Sequence, residues 1–218
     1  MTLKHTEIAR SNGSGYDAAR ALVAKLIPHL KWRRHGIGVL QGYVSEGGEV
    51  ETRVHVWSPR LMLAGIQESG NVHNHRFAMR SLVLAGWLQH TEYQLVPGDE
   101  FTLYDFVHAR LHTEATRADM RPLAETEKAQ SSLTGARLVE TTLHAGDRYT
   151  FERWAFHSSL PLTDVVVTLV EKYDQVEERA HVLAPAGRPP VPAFGAGDLE
   201  PGVVAAVLAD AVKALQRS

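Results

Sequence analysis

His73-Asn74-His75-Arg76-Phe77-Ala78-Met79-Arg80-Ser81-Leu82-Val83-Leu84-Ala85-Gly86 is the stretch whose reading decides the fold. Two histidines at i and i+2 on extended backbone point to one face, with Cα atoms ~6–7 Å apart. Both imidazoles can then reach one metal ion at bond lengths of ~2.0–2.1 Å. The residues that follow read as a turn, an apolar strand and a glycine turn, the pattern of a β-barrel wall. A second stretch lies far downstream: Gly146-Asp147-Arg148-Tyr149-Thr150-Phe151-Glu152-Arg153-Trp154-Ala155-Phe156-His157.

Together the two stretches resemble the paired motifs of the cupin superfamily. The first of these runs from a His-x-His pair to a glycine, and the second from a glycine to a histidine. The resemblance implies an all-β chain with flanking helices: a double-stranded β-helix, or jelly-roll barrel, with three histidines converging inside it. It makes His73, His75 and His157 the metal ligands. The chain departs from the family at three points. Met79 or Arg80 stands where a glutamate is usual, Glu152 where a proline is, and Trp154 where a glycine is.

Working outward, 218 residues suit one domain, 1–218, able to bury a proper core. Hydrophobic residues at 44% and charged residues at 22% are ordinary for a globular chain. A formal net charge of -2 creates no global field toward nucleic acid or an anionic membrane. No apolar run is long enough to span a bilayer, and Met1-Thr2-Leu3-Lys4-His5 lacks a signal-peptide core, so cytoplasmic residence is expected. The lack of cysteine removes disulfides, thiolate ligands and a cysteine nucleophile together. It also removes the Cys–Tyr crosslink of some thiol dioxygenases built on the cupin barrel.

Ser14-Gly-Tyr-Asp17 reads as a capping box that opens an N-terminal helix over 14–31. Leu22, Val23, Leu26, Ile27 and Leu30 form its apolar stripe, and Pro28 loosens its end. The barrel is expected over 36–183. Val50, Thr52, Val54 and Val56 alternate with Glu51, Arg53, His55 and Trp57 as a half-buried strand, and His55, on one face with Glu51 and Arg53, is read as solvated. Further strands are read at 87–96, 100–107, 109–113, 139–143, 148–151, 158–160 and 165–170, with Pro97-Gly98-Asp99 as a turn. Residues 114–135 read as a polar insertion or lid, 184–202 as a Pro/Gly linker, and 203–216 as a C-terminal helix that caps the barrel or is exchanged with a second subunit.

Three imidazoles leave a divalent ion's charge uncompensated, which favours an anionic ligand in its open positions. Arg80 either faces inward, where its fork could hold a substrate carboxylate, or outward against an acid. His90 reaches the pocket as a ligand or proton carrier, or points out of the wall. Tyr149 and Tyr93 supply a hydroxyl to the site or pack in the core. Glu68 is a conceivable fourth ligand. Trp87 and Trp154 read as wall and rim packing, and Arg76 as a surface pair.

The function that the resemblance implies is an Fe(II) dioxygenase acting on a small organic anion and O2, with three-His, cysteine-dioxygenase-like cupins as the nearest functional analogy. A Zn- or Ni-dependent isomerase, epimerase or lyase is the first alternative, and a binding module without turnover the second. A homodimer is expected.

Overall fold

Val54 and Val56 alternate with His55 and Trp57 along β4 (Glu51–Trp57), yet all four are buried. Both faces of this strand are therefore covered, and the rest of the architecture explains by what. In the computed structural model the described residues are 7–10, 13–35, 38–45, 49–61, 72–107, 119–122, 134–178, 180–187 and 201–217. The other strands are β1 (Glu7–Arg10), β2 (Trp32–His35), β3 (Val39–Ser45), β5 (Val72–His73), β6 (Ala78–Ala85), β7 (Trp87–Val107), β8 (Asp119–Pro122), β9 (Thr134–His144), β10 (Asp147–Phe151), β11 (Phe156–Pro161), β12 (Val166–Tyr173) and β13 (Ala180–Pro185). Two α-helices flank them, α1 (Ser14–Leu26) and α2 (Pro201–Gln216).

One sheet has seven strands in the order β1-β10-β6-β12-β4-β3-β2. The other runs β11-β5-β13-β7-β8, with β9 and β11 also pairing β7. Within them lie two antiparallel runs, β4-β12-β6-β10 and β5-β11-β7-β9. Successive strands pass back and forth between the two runs, which is the interleaving of a jelly roll. The expected all-β jelly-roll barrel, with a helix toward each end of the chain, is the fold.

Two apolar cores result. The outer one joins Val54, Val56, Leu82, Leu84 and Val167 of the large sheet, with Val165 just before β12, to Val23 and Ile27 of the first helical segment and to Val207, Ala211 and Leu215 of α2. The i, i+4, i+8 spacing on α2 sets these last three on one stripe, which the sheet buries completely or nearly so. Each large apolar side chain so covered contributes roughly 1.5–3 kcal/mol. The inner core lies between the sheets and joins Val39, Trp57, Met79, Val83, Tyr149, Phe151, Val166 and Val170 to Leu88 and Leu143. His55 belongs to this inner face, with its ring 6.2 Å from that of Trp57. It is 8% exposed, which corrects the expectation that it is solvated.

Several boundaries differ from those read in the sequence. The capping box does not form: Gly13 is the N-cap and its carbonyl accepts from the Tyr16 and Asp17 amides, with no side-chain cap. The helix stops at Leu26, and Pro28 sits in a 3-10 turn, Ile27–His29. Leu22 is 56% exposed, so it drops out of the stripe. β1, β2 and β13 are short strands that the sequence reading did not include. Pro97-Gly98-Asp99 is a bulge in one long strand, since Thr134 pairs with both Pro97 and Phe101. Part of the expected insertion, Asp119–Pro122, is β8 on the edge of β7. The linker's first residues, Ala184 and Pro185, end β13, and α2 opens at Pro201, where a proline's missing amide is harmless. The last two residues of the insertion, Thr134 and Gly135, open β9, while 109–113, 114–118, 123–133 and most of the linker lie outside the described residues.

Gly86 ends β6 with φ +78° and lets β7 turn away. A Cβ there would lie 2.3 Å from the Val165 carbonyl oxygen and 2.6 Å from Thr163 Oγ1. Gly86→Ala is therefore expected to destabilise the fold by about 3 kcal/mol, combining left-handed strain with backbone displacement. In a chain of this size that lowers the melting temperature by roughly 6–12 °C. An unchanged melting curve would contradict this account of the turn.

Candidate metal centre

β5 and β11 bring the motif histidines together, because His73 is the direct antiparallel partner of His157. His75 follows His73 by two residues and lies on the same face. The ring centroids are 4.7 Å apart for His73–His75, 4.7 Å for His73–His157 and 5.0 Å for His75–His157. One nitrogen from each ring lies within 4.8 Å of the others. Donors bonded to one ion at ~2.0–2.1 Å stand up to ~4 Å apart, so the three nitrogens need to close by about 1 Å to share a divalent ion.

The supporting contacts fix backbone and tautomer. Asn74 points away from the cluster and clamps β5 to β13: its Oδ1 accepts from the His181 amide at 2.7 Å, and its own amide donates to the His181 carbonyl at 3.0 Å. The Trp154 amide donates to the His75 carbonyl at 3.0 Å. Trp154 holds φ +67°, left-handed backbone that glycine adopts freely and tryptophan adopts under strain. His157 Nδ1 lies 3.2 Å from the Ala155 carbonyl. A carbonyl only accepts, so Nδ1 carries the proton and Nε2 keeps its lone pair for a ligand.

Apolar rings wall the cluster. Phe77 stacks on His75 at 4.6 Å, and Phe151 lies 4.3 Å from His157. Burial holds His75 and His157 well below the usual imidazole range, reinforced by the neighbouring His73. Both are therefore neutral near pH 7, the form that binds metal.

Of the other sequence candidates, His90 faces inward. It is 1% exposed, its ring is 5.4 Å from that of His157, and its Nδ1 is 3.3 Å from Ser159 Oγ. Burial lowers it to about 4. Tyr149 also faces the interior, 5.5 Å ring to ring from His90, and burial raises its hydroxyl to about 12, so it remains a donor. Arg80 does not reach the site. The register places Met79, buried, on the inner face and Arg80 on the outer one, where it pairs with Glu171. The inward reading of Arg80 is thus corrected by a one-residue alternation. Tyr93 alternates with His90 and Glu92, and its hydroxyl lies 3.3 Å from Ser158 Oγ, on the face of the wall turned away from the site. Trp87 is an exposed rim residue beside His144. Glu68 lies outside the described residues.

Sequence reading missed Lys172, Arg53 and Glu51. Lys172 is two residues past the expected end of its strand and faces inward, its Nζ 4.1 Å from the Phe77 ring and 3.4 Å from Glu51 Oε2. Burial lowers its ammonium to about 8. Extending the alternation Val166, Thr168, Val170 by one step would have found it.

No family model matches the chain, and no curated protein matches it. Among solved structures it is similar to Fe(II) HppE, with 7% identity over 79% of this chain and 59% of that one, at a TM-score of 0.34. The chain thus spans about three-fifths of the length of HppE. It is also similar to the L-ribose isomerase of Cellulomonas parahominis solved with L-ribose, with 13% identity over 84% and 90% of the two chains, again at 0.34. At such scores the overlap is loose, and the jelly-roll assignment rests on strand order alone. No helix among the described residues is long and apolar enough to cross a membrane.

Proposed function

We propose that this chain is a metal-dependent enzyme of the cupin type, an Fe(II) dioxygenase of a small organic anion, with the ion held by His73, His75 and His157. The observation that carries the reading is the convergence of three imidazole nitrogens within 4.8 Å on the inner wall. Met79 at the family's carboxylate position adds no negative charge, so an anionic substrate is the natural partner for the ion. His73, His75 and His157 would hold a ferrous ion, which would supply the redox chemistry that O2 requires.

The chain's own residues do the rest. Phe77 and Phe151 exclude water from one side of the cluster, which strengthens every electrostatic contact inside. The Ala155 carbonyl holds His157 in one tautomer and orientation. His90, neutral and buried beside His157, and the Tyr149 hydroxyl are the groups positioned to accept or donate a proton. The same neutral triad suits zinc or nickel, and His90 beside it would serve an isomerase, epimerase or lyase equally well as proton carrier.

Elemental analysis of protein purified without added metal, followed by O2-electrode assays over a panel of small carboxylic acids, separates these readings. Bound iron with substrate-dependent O2 uptake is the expected result. Zinc or nickel with conversion that needs no oxygen would replace it with the second reading. Ligand binding without turnover of any substrate would leave a binding module.

A further inference from the structure

Strands β7 and β11 set four polar side chains in a block on the inner wall. His90 pairs directly with Ser159, and Glu92 pairs directly with the ligand His157. Direct antiparallel partners share a face with Cβ atoms ~4.5–5.5 Å apart, and residues two apart on a strand share it too. Three corners of the block thus adjoin a fourth that belongs to the triad. One line of polar atoms runs along those three. Ser159 Oγ lies 3.3 Å from His90 Nδ1, and His90 Nε2 lies 3.9 Å from Glu92 Oε1. Tyr149 and Phe151 hold the His90 ring in that line, 5.5 and 5.6 Å away ring to ring. Ser159 and Glu92 keep partial exposure although they face inward, so solvent reaches this part of the wall, whereas His90 is buried.

Charge decides which way the hydrogens point along this line. Burial keeps the His90 ring neutral near pH 7, so one nitrogen carries a proton and the other a lone pair. A carboxylate only accepts, and it repels a lone pair turned toward it. At 3.9 Å, Glu92 is too far for a hydrogen bond and near enough for its charge to act, which places the proton on Nε2. Nδ1 then keeps the lone pair, and the bond to Ser159 runs one way only, from Oγ–H to Nδ1. With its proton committed to the wall, the Ser159 oxygen presents lone pairs to whatever sits beside His157.

Resting on the reading of the triad as a metal centre, we infer that Ser159 is a substrate-binding residue that selects a hydroxy acid over the matching keto acid. The carboxylate goes to the ion that His157 helps to hold. The neighbouring hydroxyl donates to Ser159 Oγ, two residues along the same strand face. A keto oxygen in that place meets a second acceptor and gains nothing. Glu92 and His90 are positioning residues in this role: they act by fixing the direction of the Ser159 hydroxyl.

Calorimetric titration of lactate and pyruvate into the zinc-loaded full chain tests this. Both acids can bring a carboxylate and a neighbouring oxygen to the ion, and only in lactate does that oxygen carry a proton. Lactate is expected to bind about tenfold more tightly, the factor one good hydrogen bond carries. Ser159→Ala should bring the two acids to within about twofold of each other. Glu92→Leu should do the same, because the serine hydroxyl is then free to turn round. Nitrogen-15 spectra of the metal-free chain at pH 7.5 read the cause directly. His90 should carry its proton on Nε2 in the wild type and in Ser159→Ala, and lose that preference in Glu92→Leu. A purely structural Glu92 would lower the melting temperature on substitution and leave the His90 tautomer unmoved. Pyruvate binding as tightly as lactate, a lactate preference that survives Ser159→Ala, a wild-type proton on Nδ1 or an unmoved tautomer in Glu92→Leu would overturn the proposal. The metal reading fails separately: a wild type that takes up no zinc sinks the triad, while the nitrogen-15 spectra still decide the direction of the Ser159 bond.

Discussion

His157→Ala is expected to lower divalent-metal affinity by two to three orders of magnitude while leaving a folded barrel. Structural zinc sites bind with ~10–16 kcal/mol shared by four ligands, which is ~2.5–4 kcal/mol for each. At ~1.4 kcal/mol per decade, losing one ligand removes a factor of roughly 60 to 700, about two to three orders of magnitude. The substituted side chain lies in a wall of aromatic rings and is not itself a large part of either apolar core. The fold should therefore outlast the site. Metal content by mass spectrometry and competition with a chromogenic chelator give the readout. Arg80→Ala is the internal control: its side chain is on the outer face with Glu171, and affinity should stay within twofold. Asn74→Ala should fall between them, about tenfold, because it loosens the β5–β13 clamp without removing a ligand. Full metal retention by the His157 variant, or equal losses in all three, would remove the ground for the triad assignment.

How much of this could be read in advance depended on which physical signal each residue carried. The His-x-His pair and the distant histidine were legible because period-two geometry and glycine-bounded spacing constrain them without knowledge of the rest of the chain. Met79 against Arg80 was not, because the length of the turn between His75 and the strand sets the parity, and one residue flips every side chain. His55 failed for a different reason. Alternation says that one face is apolar, and the default is that the polar face meets water. In this barrel the apolar face of the large sheet lies under α1 and α2, while the face with His55, Arg53 and Lys172 looks inward. A polar interior inverts the usual inference, and only the helices covering the outside reveal the inversion. The short strands β1 and β2 carry too few residues for a clear periodic signal and form the two edges of the large sheet, while β13 lies between β5 and β7.

The same polar interior makes the metal-free protein acid-sensitive. His55 is held down to about 3 and His90 to about 4, both chiefly by burial, against 6.5 in the unfolded chain. Between those values the unfolded state binds protons that the folded state refuses, so stability must fall as pH drops below 6.5. Above 6.5 the rings are neutral in both states and cost nothing. At pH 5 each group opposes folding by about 2 kcal/mol, or about 4 kcal/mol for the pair, at 1.36 kcal/mol per unit of pKa. His75 and His157 are shifted in the same direction and add to the effect. Set against the ~5–15 kcal/mol of a typical domain, this is a large share of the total. Urea unfolding of the metal-free chain should therefore show a plateau above pH 7, a decline beginning near pH 6.5, and a midpoint at pH 5 well below that at pH 7.5. His55→Leu removes one of the protons involved and the unpaired Nε2 with it, so its stability should fall less steeply over the same range, by ~1.4 kcal/mol per pH unit. Equal unfolding midpoints at pH 5 and 7.5 would mean that these rings are charged or solvated in the folded barrel, and the inward placement of His55 and His90 would fail with them.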